Sequence, residues 1–291
     1  SSGLRDDMPE LPEVETIRQD LKKKILNKKI KNVLFMANAR SNVSKTTFVK
    51  NVKDKKFVDI DRVGKLMIFV LPSKNYLLVH LKMTGQLIYK NGKQIVAGGH
   101  PEPWIDEVPN KFTRISFEFS DGGVLYFNDV RRFGYINLVG EKELEIIKVK
   151  FGIEPLQPDF TLENFKLALG NRKASIKAVL LNQQIFAGIG NIYADEACFL
   201  ACVSPGKQVC KLTSVQVIKL HKAVERVIKK AIEKRGTTFN DYKDSDGNSG
   251  YFGSFLKVYG RGGLKCKRCK GILTKTKVVG RGTVYCQECQ K

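Results

Sequence analysis

The chain has 291 residues, with 51 lysines and arginines against 29 aspartates and glutamates, so its formal net charge is +22 at pH 7. This length exceeds a single ordinary core and predicts two domains with room for a small appendage. The excess of cations favours a polyanionic partner, first nucleic acid and less strongly an anionic membrane. No apolar run in the sequence approaches the roughly 20 residues of a membrane-spanning helix, and no secretory signal is visible.

The first motif is the string Pro9–Glu15, at the start of a predicted amphipathic helix that ends near Ile25. When Pro9 is N-terminal, its secondary amine is a nucleophile, because an α-amino group titrates roughly two units below lysine and can form an imine. Glu10 offers a neighbouring carboxylic acid for proton transfer. An ordinary acidic helix start explains the same residues without catalysis. Residues 1–8 turn the Pro9 nitrogen into an amide, and we interpret them as an expression tag or an upstream start.

Residues 30–127 consist mostly of short apolar runs separated by polar turns, which predicts a β-sandwich. The predicted strands cover residues 31–36, 57–63, 66–71, 76–81, 115–119 and 124–127. Lys65 follows Gly64 in a turn between two of these strands, since glycine permits a tight reversal. A solvated turn lysine is the plainest interpretation of this position.

Two further loops carry side chains whose plainest interpretation is structural. Met83 ends the stretch His80–Gly85, where a flexible apolar side chain normally packs in a core. Arg131 and Phe133 lie in a polar turn, where solvation is the default.

The second half of the chain is predicted to be helical after a proline-bearing boundary at residues 151–158. Its helices begin at Thr161 and cover Ser175–Gln183, Asn191–Leu200 and residues 213–234, the last with a Thr213–Gln216 capping box. Gly188–Glu196 opens a helix from a glycine-rich loop and presents backbone N–H groups to a phosphate. Because no strand precedes it, a dinucleotide fold is not indicated. Residues 235–252 are rich in glycine, serine and aspartate and predict a loop.

Four of the seven cysteines form two Cys-x-x-Cys pairs that flank a 16-residue insert. The ligands are Cys266, Cys269, Cys286 and Cys289. This spacing predicts one structural Zn²⁺, with redox pairs as the alternative. Arg281 lies in the hairpin between the pairs. The other cysteines, Cys198, Cys202 and Cys210, are predicted to be buried thiols.

Five motifs in order from Pro9 to the C-terminus resemble the formamidopyrimidine-DNA glycosylases. The resemblance implies a bifunctional base-excision-repair enzyme that removes 8-oxoguanine and formamidopyrimidines and cleaves the abasic site by β,δ-elimination. Pro9 is then the nucleophile, provided that its amine is free, and Glu10 is the proton donor. Lys65 and Arg281 assist the elimination. The DNA-binding residues implied by the resemblance are His80, Met83, Arg131, Phe133, Arg172, Lys173 and Asn191, with Glu196 as a supporting carboxylate. Among them, the resemblance implies that Met83, Arg131 and Phe133 are wedges that fill the gap left by an extruded nucleotide.

The resemblance also implies a multidomain α+β fold: an N-terminal helix plus β-sandwich, then a C-terminal helical helix-two-turn-helix domain with a zinc-finger β-hairpin. The expected segments are an extension at 1–8, a catalytic β-sandwich domain at 9–140, a helix-two-turn-helix domain at 150–240, a lesion-covering loop and connector at 241–260, and a zinc finger at 261–291. The expected partner is double-stranded DNA containing oxidised bases, bound by a monomer without a membrane. We expect a cytoplasmic, nucleoid-associated protein.

One departure from the family pattern and two rival functions accompany this interpretation. Family members often carry paired histidines where this chain has Asn110–Arg114, so Lys111 or Arg114 is the electrostatic substitute for a phosphate contact. One rival is an endonuclease VIII-like glycosylase for oxidised pyrimidines. The other is a catalytically silent zinc-finger protein that binds damaged DNA, and borohydride trapping discriminates it from an enzyme.

The charge of the chain predicts that its affinity for undamaged duplex falls steeply as salt concentration rises, because each neutralised phosphate releases counterions. Replacing Arg172 or Asn191 by alanine should weaken binding to all sequences alike. Titration of a labelled undamaged duplex at several salt concentrations measures both effects. A salt-independent affinity would contradict the nucleic-acid interpretation.

Overall fold

A computed structural model of the chain describes residues 8–36, 38–99, 107–237 and 252–291. These residues form two compact units. Unit 1 runs to Lys148 and also includes residues 235–237, whereas unit 2 contains Val149–Lys234 and Phe252–Lys291. Within these ranges, no helix combines the length and the apolar character that crossing a bilayer requires.

Unit 1 is a helix packed on a β-sandwich, as predicted. Its elements are α1 (Leu11–Ile25), β1 (Ile30–Phe35), α2 (Lys45–Val52), β2 (Asp59–Val63), β3 (Leu66–Leu71), β4 (Asn75–His80), β5 (Gly85–Asn91), β6 (Gln94–Gly99), β7 (Thr113–Phe119), β8 (Val124–Asp129), β9 (Tyr135–Gly140) and α3 (Glu141–Lys148). One antiparallel sheet has the order β1-β7-β8-β5-β6 and the other β2-β3-β4-β9.

The two sheets and α1 share one apolar core, because each strand turns alternate side chains inward. Phe57 lies at its centre, with edge-to-face contacts to Phe69 of one sheet and Phe117 of the other. Helix α1 approaches β6 so closely that a Cβ on Gly98 would overlap the Ile17 side chain. This contact fixes the helix whose first turn follows Pro9.

The hairpin of β5 and β6 and the strand β9 lie outside the strands that apolar periodicity predicts. A local signal for the hairpin is nevertheless present, since Gly92 and Lys93 form its two-residue loop and Gly92, with φ +56°, occupies the first loop position, where such turns favour glycine. Strand β9 pairs with β4 from His80↔Tyr135 to Asn75↔Gly140. Its pairing partner is about 60 residues away in sequence, a separation at which local patterns carry little information.

Unit 2 is a helical domain with a terminal hairpin. Its elements are α4 (Leu162–Leu169), α5 (Ile176–Leu181), α6 (Asn191–Ala201), α7 (Ser214–Glu233), α8 (Phe252–Phe255), β10 (Thr274–Val278) and β11 (Arg281–Tyr285). The hydroxyls of Thr161, Ser175 and Thr213 accept backbone hydrogen bonds at the starts of α4, α5 and α7. The expected Thr213–Gln216 capping box is present. Local capping chemistry therefore sets these helix starts.

The centre of unit 2 contains an ion pair whose side chains are both 0% exposed. Lys177 of α5 lies 2.6 Å from Asp195 of α6, and burial raises the pKa of Asp195 to about 6 even though Lys177 acts to lower it. The Lys177 ammonium also donates to the Gly282 carbonyl and to the Thr283 hydroxyl, and Asp195 accepts from the Val284 N–H. The pair thereby joins two helices to β11.

We expect Lys177→Met to lower the free energy of unfolding by about 3–5 kcal/mol, because it leaves the Asp195 carboxylate buried without its counter-charge. The double variant Lys177→Met/Asp195→Leu should lose less, since an apolar pair avoids that cost. Lys173→Met, at an exposed lysine nearby, should change stability by about 0.5 kcal/mol or less. Denaturant unfolding of the zinc-loaded protein tests this order, and equal losses for the single and double variants would refute it.

Candidate active site and nucleic-acid interface

The start of α1 is buried and tightly hydrogen-bonded. Pro9 and Glu10 are both buried, and Glu10 with Glu13 forms a capping box in which the Glu10 N–H donates to Glu13 at 3.1 Å. The other Glu13 oxygen accepts from the Thr237 N–H at 2.9 Å and from its hydroxyl at 3.0 Å. Gly236 has φ +83°, and a Cβ there would lie 2.7 Å from that oxygen, so any other residue would be strained at this position. The predicted nucleophile therefore adjoins a rigid helix start.

Lys65 occupies the expected turn between β2 and β3, where Gly64 has φ +55°. Its side chain is only 5% exposed, so the solvated turn lysine is a wrong interpretation of this position. The charge of Lys65 acts on His80, whose pKa falls to about 3 mainly through burial and further through Lys82 and Lys65. His80 is therefore neutral at pH 7, and its Nδ1 accepts from the Lys82 N–H at 3.0 Å. The hydrogen then resides on Nε2, a donor suited to a phosphate oxygen.

One carboxylate holds the two candidate wedge loops together. Asp129 accepts from the Thr84 hydroxyl at 2.5 Å with one oxygen and from the Gly134 N–H at 2.7 Å with the other. The Thr84 hydroxyl in turn accepts from the Arg131 N–H at 2.9 Å. Met83 precedes this threonine, so the methionine loop and the arginine loop form one hydrogen-bonded unit. Thr84 and Asp129 lie inside the expected motifs, but the sequence pattern does not reveal their pairing.

The wedge candidates are at least partly exposed, and their role stays a prediction. Phe133 is 48% exposed although it is large and apolar, and the Arg131 guanidinium lies 5.1 Å from the centre of its ring. Met83 is half-buried at the adjoining loop. Arg114 is buried instead, and it donates to the Asp129 carbonyl at 2.8 and 3.0 Å. It supports the loop from inside, which leaves the exposed Lys111 as the candidate for a phosphate contact.

In unit 2, Asn191 begins α6 directly after Gly190, the N-cap residue. The preceding loop is held by Gln183, whose amide accepts from the Gly188 N–H and donates to the Ile189 carbonyl. Gln183 has no distinctive sequence signal and was not among the expected residues. Arg172 and Lys173 are exposed, as a phosphate contact requires.

Glu196 supports the segment that follows α8. Burial raises the pKa of its carboxyl, while three backbone hydrogen bonds oppose that shift. The donors are the N–H groups of Lys257, Val258 and Tyr259, at 2.8–3.0 Å. This arrangement agrees with the expected role of Glu196 as a supporting carboxylate.

The four cysteines of the two Cys-x-x-Cys pairs converge, with all Sγ atoms within 4.8 Å of one another. Four thiolates at this separation form the donor set of a structural zinc site, which confirms the predicted Zn²⁺. The Gln290 side chain orders the second pair, since it accepts from the Cys286 N–H and donates to the Val203 carbonyl. Arg281 begins β11 and is exposed, directly before the residues that Lys177 binds.

The prediction for the remaining cysteines is correct only in part. Cys198 is buried, Cys202 is half-buried and Cys210 is exposed. Cys202 contacts the Arg268 guanidinium, and Cys210 lies in a short turn before α7. Burial of these two positions depends on packing that the spacing of cysteines does not encode.

Family models match the chain in three consecutive segments. The formamidopyrimidine-DNA glycosylase N-terminal domain matches residues 8–136, the H2TH domain of the same enzymes matches 151–243, and the zinc finger found in FPG and IleRS matches 263–291. A formamidopyrimidine-DNA glycosylase from Pelotomaculum thermopropionicum is 39% identical, over 98% of this chain and 99% of that protein. The chain belongs to the formamidopyrimidine-DNA glycosylase family. Its members are bifunctional DNA glycosylases with abasic-site lyase activity.

Solved structures of a relative agree with the fold. A variant of the Lactococcus lactis enzyme in complex with Fapy-dG DNA has a TM-score of 0.86 and 32% identity, and the match covers 97% of this chain and all of that one. The wild-type L. lactis enzyme in complex with DNA containing an oxidised pyrimidine has a TM-score of 0.84 at the same identity and coverage. The predicted α+β fold is thereby confirmed.

Two predicted segments lie largely outside the described residues. The extension at 1–8 has only Met8 within them, and the lesion-covering loop and connector at 241–260 is described from Phe252 onward.

We expect Cys286→Ser to lose zinc and to weaken DNA binding, because the small cluster of β10 and β11 has too little core to stay ordered without metal. Chelation of the wild-type protein should have the same effect. Cys210→Ser is the matched control, since that exposed thiol lies outside the four-cysteine cluster. Zinc content and duplex affinity are the measurements. Wild-type values for both in Cys286→Ser would refute the assignment.

Proposed function

We propose that this chain removes 8-oxoguanine and formamidopyrimidines from double-stranded DNA and then cleaves the abasic site by β,δ-elimination. The observation that carries this proposal is the buried Pro9–Glu10 pair at the rigid start of α1. In a protein with a net charge of +22, such a pair supports the proposal that Pro9, once it is N-terminal, acts as an amine nucleophile on a nucleic-acid sugar with Glu10 as its proton donor.

The proposed reaction begins when the Pro9 nitrogen attacks C1′ of the damaged nucleotide. The bond from C1′ to the base breaks as the C1′–N bond forms, and the base leaves. The C1′–O4′ bond of the sugar ring then opens, with Glu10 as the proton donor to O4′, so that an iminium joins Pro9 to the ring-opened sugar. The imine acidifies the sugar, so that the 3′ and then the 5′ phosphate leave by elimination. Lys65 and Arg281 assist these later steps, Lys65 from its buried turn and Arg281 as a phosphate ligand.

The proposed DNA contacts fall into two groups. Met83, Arg131 and Phe133 occupy the gap that the extruded nucleotide leaves, at a cost of a few kcal/mol of unstacking that the wedge offsets. Phosphate contacts come from His80 in unit 1 and, in unit 2, from Arg172, Lys173 and Asn191. We further propose that the enzyme acts as a monomer on chromosomal DNA in the cytoplasm.

Oxidised pyrimidines are a second candidate substrate class, because the L. lactis relative was crystallised with DNA that contains one. Parallel excision assays on duplexes that carry either an oxidised purine or an oxidised pyrimidine decide between the two classes. The catalytically silent damaged-DNA binder is disfavoured, since membership of the glycosylase family extends over the full length of the relative.

We expect a chain that begins at Pro9 to excise 8-oxoguanine and to form a covalent adduct with the DNA under borohydride. The same chain with Met8 still attached should bind the duplex but should do neither, because an amide nitrogen has no basic lone pair to form an imine. Single-turnover excision and trapping, with both lengths verified by mass, measure this difference.

Lys65 requires a control, since its amine is a possible substitute nucleophile. Any slow abasic-site cleavage by the longer chain should disappear in its Lys65→Ala variant. If the longer chain, verified intact, excises as fast as the chain that begins at Pro9, then Pro9 is not the nucleophile.

A further inference from the structure

A buried salt bridge between Glu15 and Arg62 connects α1 to the turn that carries Lys65. The Arg62 Nε of β2 donates to the Glu15 carboxylate of α1 at 2.7 Å, with side chains that are 7% and 10% exposed. The Arg62 Nη1 also donates to the Gly64 carbonyl at 3.3 Å. One guanidinium therefore holds the helix that follows Pro9 and the residue that precedes Lys65.

The Glu15 carboxylate also accepts hydrogen bonds from two other side chains of α1. Arg18 binds it through two nitrogens at 2.6 and 3.0 Å, and Gln19 donates at 2.7 Å. Burial alone would raise the pKa of Glu15, but the Arg18 hydrogen bond, the Arg62 charge and the Gln19 hydrogen bond lower it to about 2. Glu15 is therefore ionised at neutral pH, so the bridge keeps both of its charges there.

The turn needs such a support for a geometric reason. Gly64 has φ +55°. Because glycine has no Cβ, sterics do not restrict its backbone to this conformation, and the residue itself does not hold the turn rigid. A lysine side chain has four rotatable bonds and a large rotamer entropy. An ammonium that assists a reaction must nevertheless be held to within about an ångström of its target.

We infer that Glu15 and Arg62 are positioning residues for Lys65, an assignment that rests on the proposed function. The bridge sets the Lys65 turn relative to the helix that starts at Pro9 and Glu10. Neither positioning residue transfers a proton or touches the reacting atoms. Their loss should therefore slow the steps that depend on Lys65, strand cleavage above all, and should alter duplex affinity little.

The test is a double-mutant cycle in the chain that begins at Pro9, with single-turnover cleavage of an abasic-site duplex as the readout. Lys65→Ala and Arg62→Ala should each slow cleavage at least tenfold. The double variant should be no slower than Lys65→Ala alone, because a misplaced turn has nothing further to lose once the lysine is gone. Arg62→Lys keeps the charge but cannot bind both partners, so its rate should lie between those of wild type and Arg62→Ala.

Arg18→Ala is the matched control. Arg18 binds the same carboxylate, but its other contact is to the Ile60 carbonyl at 3.1 Å and not to the turn. We expect its cleavage rate to stay within twofold of wild type. Glu15→Gln, which keeps the shape of the side chain, provides a second break of the bridge if Arg62→Ala fails to fold, and it should show the same lack of additivity with Lys65→Ala.

The inference would be overturned if the losses of cleavage rate in the cycle were additive, or if Arg62→Ala and Arg18→Ala lost rate equally. Either result would indicate a general effect on folding. A wild-type cleavage rate in Lys65→Ala would overturn it as well. In that case undiminished borohydride trapping would leave the proposed imine chemistry intact, so the two failures are distinguishable. Absence of trapping in the chain that begins at Pro9 and carries no substitution would reject the proposed function and the inference together.

Discussion

Burial of an ionised side chain costs several kcal/mol of free energy unless hydrogen bonds and opposite charges in the protein replace its hydration. In unit 2 the fully buried pair of Lys177 and Asp195 meets that requirement with backbone and hydroxyl groups of β11. Those partners directly follow Arg281. The groups of β11 that hydrogen-bond to the ion pair therefore also hold the hairpin in place next to the exposed Arg281. The same contacts contribute to stability and position a candidate catalytic side chain.

The same principle organises the functional segments of unit 1. Asp129 satisfies its two oxygens with donors from both wedge loops, and Glu13 satisfies one oxygen with donors from Thr237. Glu15 does so with Arg18, Gln19 and Arg62. Each buried carboxylate therefore ties together segments that are distant in sequence. Loops held in this way keep a fixed shape although their outer side chains are exposed.

This construction suits the proposed chemistry. Extrusion of a base requires side chains that resist the closing duplex, and Phe133 is exposed on a loop whose root is buried. Imine formation requires a neutral amine beside a proton donor, and the start of α1 is rigid through its capping box. The zinc site serves the same purpose for Arg281, because metal replaces the core that a short hairpin lacks. At each point, charge or metal adds to the rigidity that apolar packing provides.

The sequence by itself determined the features that depend on near neighbours: the Pro9–Glu15 helix start, the Thr213–Gln216 capping box, the Cys-x-x-Cys pairs and the order of the two domain types. Spacing of a few residues specifies these features, and the resemblance to a known family made their roles explicit. Only the tertiary structure decided that Lys65 and Arg114 are buried, that Cys210 is exposed and that Thr84 pairs with Asp129. Burial and hydrogen bonding at these positions depend on strands brought together from distant parts of the chain. Free energy gained by those long-range contacts overrides local preference, and no pattern within a short window records it.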